Sequence, residues 1–323
     1  MKKTLTKTMA ALLAATMLLT GCGEQEPRPV AMTINGTAVT DSEFMIYMYS
    51  MTDSLETSAG ENVWSMEFDG KTADEMVKDG ALETLRTIIA AKEYAFDADI
   101  NLTPSENTNA RTNGNRNYTA LPYKEKKTMG VTKDVVEQIF ADSALYAKVY
   151  QDLCNQVEVT EEDIAAYCAE NEKTLQDDLS TFTVRRIQIE TEADANAAYA
   201  ELENGADFMD VFQKYEYSSI EKAANAKGER TYAGTDLRGQ ADAVFDLQVN
   251  EYTEPIVLGG VYFIFRLEGV ERPKASEVEE YGQEQCMQEM QGDYADGVLQ
   301  ELVDKQTVEI NQEVWDNLPV FHD

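Results

Sequence analysis

The chain has 323 residues, 60 Asp and Glu against 27 Lys and Arg, and a formal net charge of −33. A surplus of acids this large excludes nucleic-acid binding through phosphates, which needs clustered Lys and Arg, and direct docking on anionic lipid. It leaves a preference for basic or unfolded partners, or plain solubility, as readings of the charge.

The first residues read as a targeting segment. Lys2, Lys3 and Lys7 precede a short apolar stretch from Met9 to Leu19. That stretch is too short to span a bilayer and has the length of a signal-peptide core. It ends in Leu19-Thr20-Gly21-Cys22, which matches the bacterial lipoprotein cleavage box. The expectation is a signal peptide over 1–21, diacylglycerol on the thiol of Cys22, and a tether over 22–29. An ordinary signal peptide with a chance cysteine is the alternative. The lipid reading places the protein outside the cytoplasm, anchored at the outer face of the bacterial cytoplasmic membrane or on the periplasmic side of the envelope. Loss of the three lysines takes the charge to about −36, and the remaining length points to about two domains.

In the body, Val30 to Val39 reads as a hairpin around the turn Asn35-Gly36. Thr40 and Glu43 have capping-box spacing for a helix with Phe44, Tyr47 and Met48 on its apolar face. Ala73 to Asp99 carries a long helical pattern through Met76, Val77, Leu82, Leu85, Ile88, Ile89 and Phe96. Asn101 to Pro122 breaks the periodicity, with six asparagines and a proline near each end, and reads as a loop. Thr132 to Gln156 is helical again, and Thr160 with Asp163 starts another helix through about Leu179. Ser276 and Glu277 start a last long helix to about Lys305, and Trp315, Leu318 and Phe321 make the tail apolar enough to pack. After Cys22 the cysteines are Cys154, Cys168 and Cys286. Cys154 and Cys168 can pair, or all three can sit as small buried apolar residues.

Residues 182–273 form a distinct block. Phe182 to Ile189 is a β-rich run, Thr191 caps a helix ending near Gly205, and Asp207 to Tyr215 is a second short helix. Gly234-Thr235-Asp236-Leu237 reads as a turn, Ala243-Val244-Phe245 as a short helix, and Glu254 to Leu267 as a hairpin closed near Gly259-Gly260. The order is β-α-α-(α)-β-β. This block resembles the parvulin-type prolyl isomerases. The motifs are Val184-Arg185-Arg186-Ile187-Gln188-Ile189, the Asp236-Leu237 turn, the Ala-Val-Phe helix, and Tyr262-Phe263-Ile264-Phe265-Arg266-Leu267. Hairpin, helices, parvulin-like block and long helix, in that order, resemble the SurA and PrsA folding factors of the cell envelope. The resemblance implies an α+β fold. A discontinuous, mostly helical domain over 30–180 and 274–323 would carry the parvulin-like domain, 181–273, as an insert.

The family's isomerase site holds two histidines, a Cys or Asp, and an apolar floor for the proline ring. Here the histidine places fall on Arg186 and Phe263, and the Cys/Asp place falls on Ile220 in Tyr217-Ser218-Ser219-Ile220. Leu237 alone survives of the floor, and the loop after it is shorter than the family's. The chain's one histidine is His322. Arg186, Ser219, Ile220, Leu237 and Phe263 are therefore candidates for peptide binding, and no catalytic residue is assigned. Arg186 reads either as a substitute donor to the twisted carbonyl or as a surface-strand arginine. A serine hydrolase finds no base beside Ser218 or Ser219. A metal would have to be held by carboxylates alone, without calcium-loop spacing, so neither metal nor cofactor is expected. Three functions follow: a membrane-anchored factor that binds unfolded or proline-containing exported polypeptides through a catalytically impaired parvulin-like domain; an active isomerase with divergent site residues; or a partner-docking lipoprotein without chaperone activity.

Overall fold

The computed structural model describes residues 27–68, 70–223 and 229–322. The signal segment, Cys22 and most of the tether lie outside the described residues. The chain divides into two compact units, 1–150 with 299–323, and 151–298.

The first unit opens with β1 (Val30–Ile34) and β2 (Thr37–Thr40), paired antiparallel. The turn between them places Asn35 at φ +48° and Gly36 at φ +80°. Two positive φ values in a two-residue loop match the right-handed twist of the strands, which is why Asn-Gly reads as a hairpin. Thr40 then caps α1 (Asp41–Ala59) by accepting the amide of Glu43. A 3₁₀ turn over Glu61–Ser65 and a short pair, β3 (Glu67–Phe68) with β4 (Lys71–Thr72), lead into α2 (Ala73–Asp97). The buried line of α2 is Val77, Ala81, Leu85, Ile88 and Ile89, at helical spacing. Phe96, part of the same sequence pattern, instead stands 87 % exposed.

Residues 101–122 correct the expectation of a loop, because α3 (Pro104–Ala120) runs through them. Thr103 and Glu106 form a full capping box and Pro104 sits at the first turn, where its missing N–H costs nothing. Thr108, Thr112 and Thr119 turn their hydroxyls back to carbonyls four residues earlier. Only Ala110 and Gly114 are buried. At Gly114 a Cβ would stand 2.7 Å from the Cα of Glu137. The helix packs backbone against backbone, so no apolar stripe was there to be read. Next come α4 (Tyr123–Met129) and α5 (Lys133–Cys154), the latter facing α3 through Arg111–Gln138 and Glu106–Lys148.

In the second unit α6 (Glu161–Glu170) and α7 (Glu172–Leu179) are two helices broken at Asn171, where one was expected. Then follow β5 (Thr181–Ile189), α8 (Glu192–Glu203), α9 (Phe208–Tyr215), α10 (Ser219–Ala223), β6 (Glu229–Ala233), a one-turn α11 (Gly234–Leu237) and a 3₁₀ turn over Asp242–Asp246. The last pieces are β7 (Ile256–Leu258), β8 (Val261–Glu271) and α12 (Ala275–Asp304). The four strands form an antiparallel sheet in the order β6-β5-β8-β7. Strand β6, Glu-Arg-Thr-Tyr-Ala, is an edge strand with three of its five residues exposed and none buried, and its polar sequence carries no strand signal. One sheet face buries Phe182, Val184, Phe263, Phe265 and Leu267. The other buries Ile187, Ile189 and Ile264 under α8 and α9. Gly234 is fixed by sterics, since a Cβ there would lie 1.8 Å from the carbonyl oxygen of Asp177.

From Leu299, within α12, the chain belongs again to the first unit. There β9 (Val308–Ile310) pairs with β1, and α13 (Gln312–Asp316) sets Trp315 on Phe44 at 5.3 Å. Leu318, Val320 and Phe321 join the same core, so the apolar tail packs as its composition predicts. The architecture is α+β, as the sequence leads one to expect.

Candidate site on the parvulin-like sheet

Side chains alternate across a strand, so Phe182, Val184 and Arg186 of β5 point to one face. The first two are buried there, and Arg186 continues the line toward the strand end. Its guanidinium carbon stands 5.3 Å over the ring of Phe263, and its Nη1 donates to the hydroxyl of Tyr232 on β6 at 3.1 Å. A cation over an aromatic face contributes about 0.5–1 kcal/mol where water still reaches it. Phe263 stacks in turn on Phe265 at 6.0 Å.

The floor beneath is closed by the chain itself. Leu237 of α11, with Val244 and Phe245 of the 3₁₀ turn, packs into the same cluster. Phe245 meets Phe182 edge to face at 5.3 Å. Arg238 lies 4.4 Å over Phe245 and donates to Asp178 at 2.5 and 2.8 Å. Leu237 is 3 % exposed and Phe263 8 %. The structure thus brings together Arg186, Leu237 and Phe263 among the sequence candidates. Ser219 and Ile220 stand at the start of α10, outside that buried cluster. Ile220 is 79 % exposed and its neighbour Tyr217 is 55 % exposed.

Two groups escaped the sequence reading. Tyr232 holds Arg186 in place, but its strand was invisible. Glu216, 3 % exposed, accepts the amides of Gln188 and Ser218, both at 2.8 Å. It fixes the turn into α10 against β5. Nothing distinguished it among 60 acidic residues. At the other end of β5, Asp177 is almost fully buried and is met by Lys173 at 3.0 Å and by Arg272. Its hydrogen bond is the main reason that the Lys173 ammonium is held above the ordinary lysine range. The three described cysteines are free thiols. Burial pushes those of Cys154 and Cys286 up, away from the thiolate that redox or nucleophilic chemistry uses.

Residues 159–281 match the model of the PPIC-type PPIASE domain family. This stretch is a parvulin-type domain, and it takes in α6 and α7 ahead of the sheet. No curated protein matches the chain. Among solved structures it is similar to the peptidylprolyl isomerase PrsA of Bacillus anthracis, at 14 % identity and a TM-score of 0.38, over 69 % of this chain and 95 % of that one. It is similar to the foldase protein PrsA of Streptococcus pneumoniae, at 16 % identity and 0.39, over 74 % and 92 %. It is also similar to a SurA-like chaperone of Campylobacter jejuni, at 9 % identity and 0.37, over 87 % and 98 %. Likeness at this level leaves this chain's own residues to carry its function.

Proposed function

We propose that this protein is an exported folding factor, held to the membrane by lipid on Cys22, whose parvulin-type domain binds unfolded or proline-containing chains without isomerising them. Prolyl isomerisation twists an amide against a barrier of about 18–20 kcal/mol. It calls for an apolar seat for the ring and preorganised donors for the twisted carbonyl. The observation that carries the proposal is the commitment of Arg186. The guanidinium at the first histidine place is spent on Phe263 and Tyr232, while the second place is Phe263 itself. Leu237 and Phe263 pack on their own neighbours. Tyr217 and Ile220 offer exposed apolar surface for binding instead.

Catalysis is tested by isomerisation of a short Xaa-Pro peptide, using soluble 23–323 beside an active parvulin. The expected rate is the uncatalysed one. A clear acceleration overturns the impaired-site reading. The second reading is an isomerase built on Arg186, which stands at the family's first histidine place, and Arg186→Ala then has to lower the rate. The anchor is tested separately: Cys22→Ser is expected to move the protein from the membrane to the soluble exported fraction.

A further inference from the structure

Taken as a sum, the charge of the chain opposes an anionic lipid surface, but its distribution is uneven. From Asn107 to Lys133 the basic residues are Arg111, Arg116, Lys124, Lys126, Lys127 and Lys133, and the one acid is Glu125. In a chain with 60 acids against 27 Lys and Arg, this segment is a positive island. Its centre is α4, with Lys124 and Lys127 exposed. Lys126 ties that helix to the end of α3, donating to the Thr119 carbonyl at 3.1 Å and standing 4.9 Å over the ring of Tyr118. Lys133, the first residue of α5, is exposed as well. Tyr123, the first residue of α4, is 81 % exposed. A ring with a polar tip suits the headgroup level of a bilayer.

The tether ends against this island. Asp41 fixes Arg28 by accepting two hydrogen bonds, 2.9 Å from Nε and 2.6 Å from Nη2. The third nitrogen, Nη1, lies on Gly130, the residue that closes α4, so near that a Cβ there would stand 2.7 Å from it. Cys22 precedes Arg28 by six residues, a stretch that spans at most about 20 Å when fully extended. A bilayer that holds lipid on Cys22 therefore lies within that reach of the end of α4.

We propose that α4 and the start of α5 form a docking surface for the anionic phospholipid headgroups of the bilayer that carries the anchor. Lys124, Lys127 and Lys133 meet the phosphates, and Tyr123 enters the interface. Each lysine near an anionic surface adds a modest attraction that salt screens. That attraction is too small to recruit so acidic a chain from solution, but a tether makes the second contact intramolecular. The acids elsewhere are repelled by the same surface, which favours the orientation with the island inward. The inference rests on the Cys22 reading for bringing the bilayer near.

The test holds soluble 23–323 on vesicles through an N-terminal histidine tag and a nickel-chelating lipid, which replaces the anchor whether or not Cys22 is acylated. One set of vesicles is phosphatidylcholine and the other phosphatidylglycerol. Lysines are acylated with a water-soluble reagent and read by peptide mass spectrometry. Labelling of Lys124 and Lys127 is expected to fall roughly five-fold on phosphatidylglycerol and to return at high salt. Lys148, paired with Glu106 in the first turn of α3, and Lys305 should label alike on both lipids. Combining Lys127→Gln with Lys133→Gln should remove most of the protection at Lys124. Equal labelling of Lys124 and Lys127 on both lipids overturns the surface, as does protection that spreads to Lys148 and Lys305. Protection by soluble polyphosphate, with none from phosphatidylglycerol vesicles, assigns the island to a dissolved polyanion and overturns the bilayer. Protection on phosphatidylglycerol while Cys22→Ser leaves cell fractionation unchanged keeps the surface and loses the anchor. Fractionation that follows Cys22, with no protection, keeps the anchor and loses the surface.

Discussion

Single residues decide whether the sheet unit closes. At Gly234 the obstacle to a side chain is backbone, not a flexible tip: the carbonyl of Asp177 occupies the place of Cβ. Gly234→Ala must push α11 off α7, and α11 carries Leu237 into the cluster under Phe263. We expect a loss of about 3 kcal/mol or more, within the range for overpacking with backbone shifts, read from urea unfolding of the parent and variant. Glu43 shows the opposite case. It is half-buried on α1, and burial is the largest cause that raises its carboxyl above the ordinary range, against the nearby Lys92 ammonium. A raised folded-state value means that its contribution is fully present below the unfolded value and is lost as pH rises through the folded one. Ionised Glu43 is therefore a burden at neutral pH. Glu43→Gln should raise Tm at pH 7 by roughly 2–4 °C, and the gain should vanish below the ordinary carboxylate range. An equal gain at acid pH would show that the change acts through packing instead.

At the scale of elements, α3 is the clearest case of a helix made by its ends. Its interior is polar and its stripe is nearly absent, so the cap and the ties to α5 matter more than usual. The Lys148 ammonium, and then the Thr103 amide, hold the Glu106 carboxyl down at about 2, from an ordinary 4.5. A depressed value gives stability that is present above the unfolded value and is lost as pH falls through the folded one. Amide protection in α3 should hold steady down to about pH 4.5 and fall between there and about 2. In Lys148→Met the fall should be smaller and end at a higher pH, because only the folded-state value moves. The sequence contained this helix start: Thr103-Pro104-Ser105-Glu106 is a capping box with proline at the first turn. Six asparagines and few apolar residues over 101–122 hide it, because the contact that decides is the approach of Gly114 to the backbone of α5. Strand β6 was missed for a related reason. No residue of this edge strand is fully buried, and Glu229, Arg230 and Thr231 pair with β5 through the backbone ladder and the Glu229–Arg185 ion pair.

At the scale of the molecule, the sheet unit begins and ends at one place, because Thr181 and Glu271 face each other across β5 and β8. Paired Cα atoms lie about 5 Å apart. Residues 182–270 can therefore be replaced by a short Gly-Ser link without stretching the chain. If the helical elements hold clients, suppression of aggregation should survive this deletion. Its loss would place client binding on the parvulin-type sheet. The sequence alone determined the α+β class, the hairpin around Asn35-Gly36, most helices and the parvulin-like run from Phe182 to Leu267. These follow from local rules: caps, period-2 and period-3.6 patterns, and turn residues that permit positive φ. It also determined which residue types stand at the family's site. Only the tertiary structure decided that Arg186 is held by Phe263 and Tyr232, that Leu237 is packed shut while Ile220 faces water, and that Phe321 and His322 return to lie on Tyr49 and Trp64. Those facts depend on contacts between residues far apart in the chain, and no local pattern encodes a partner that folding alone brings near.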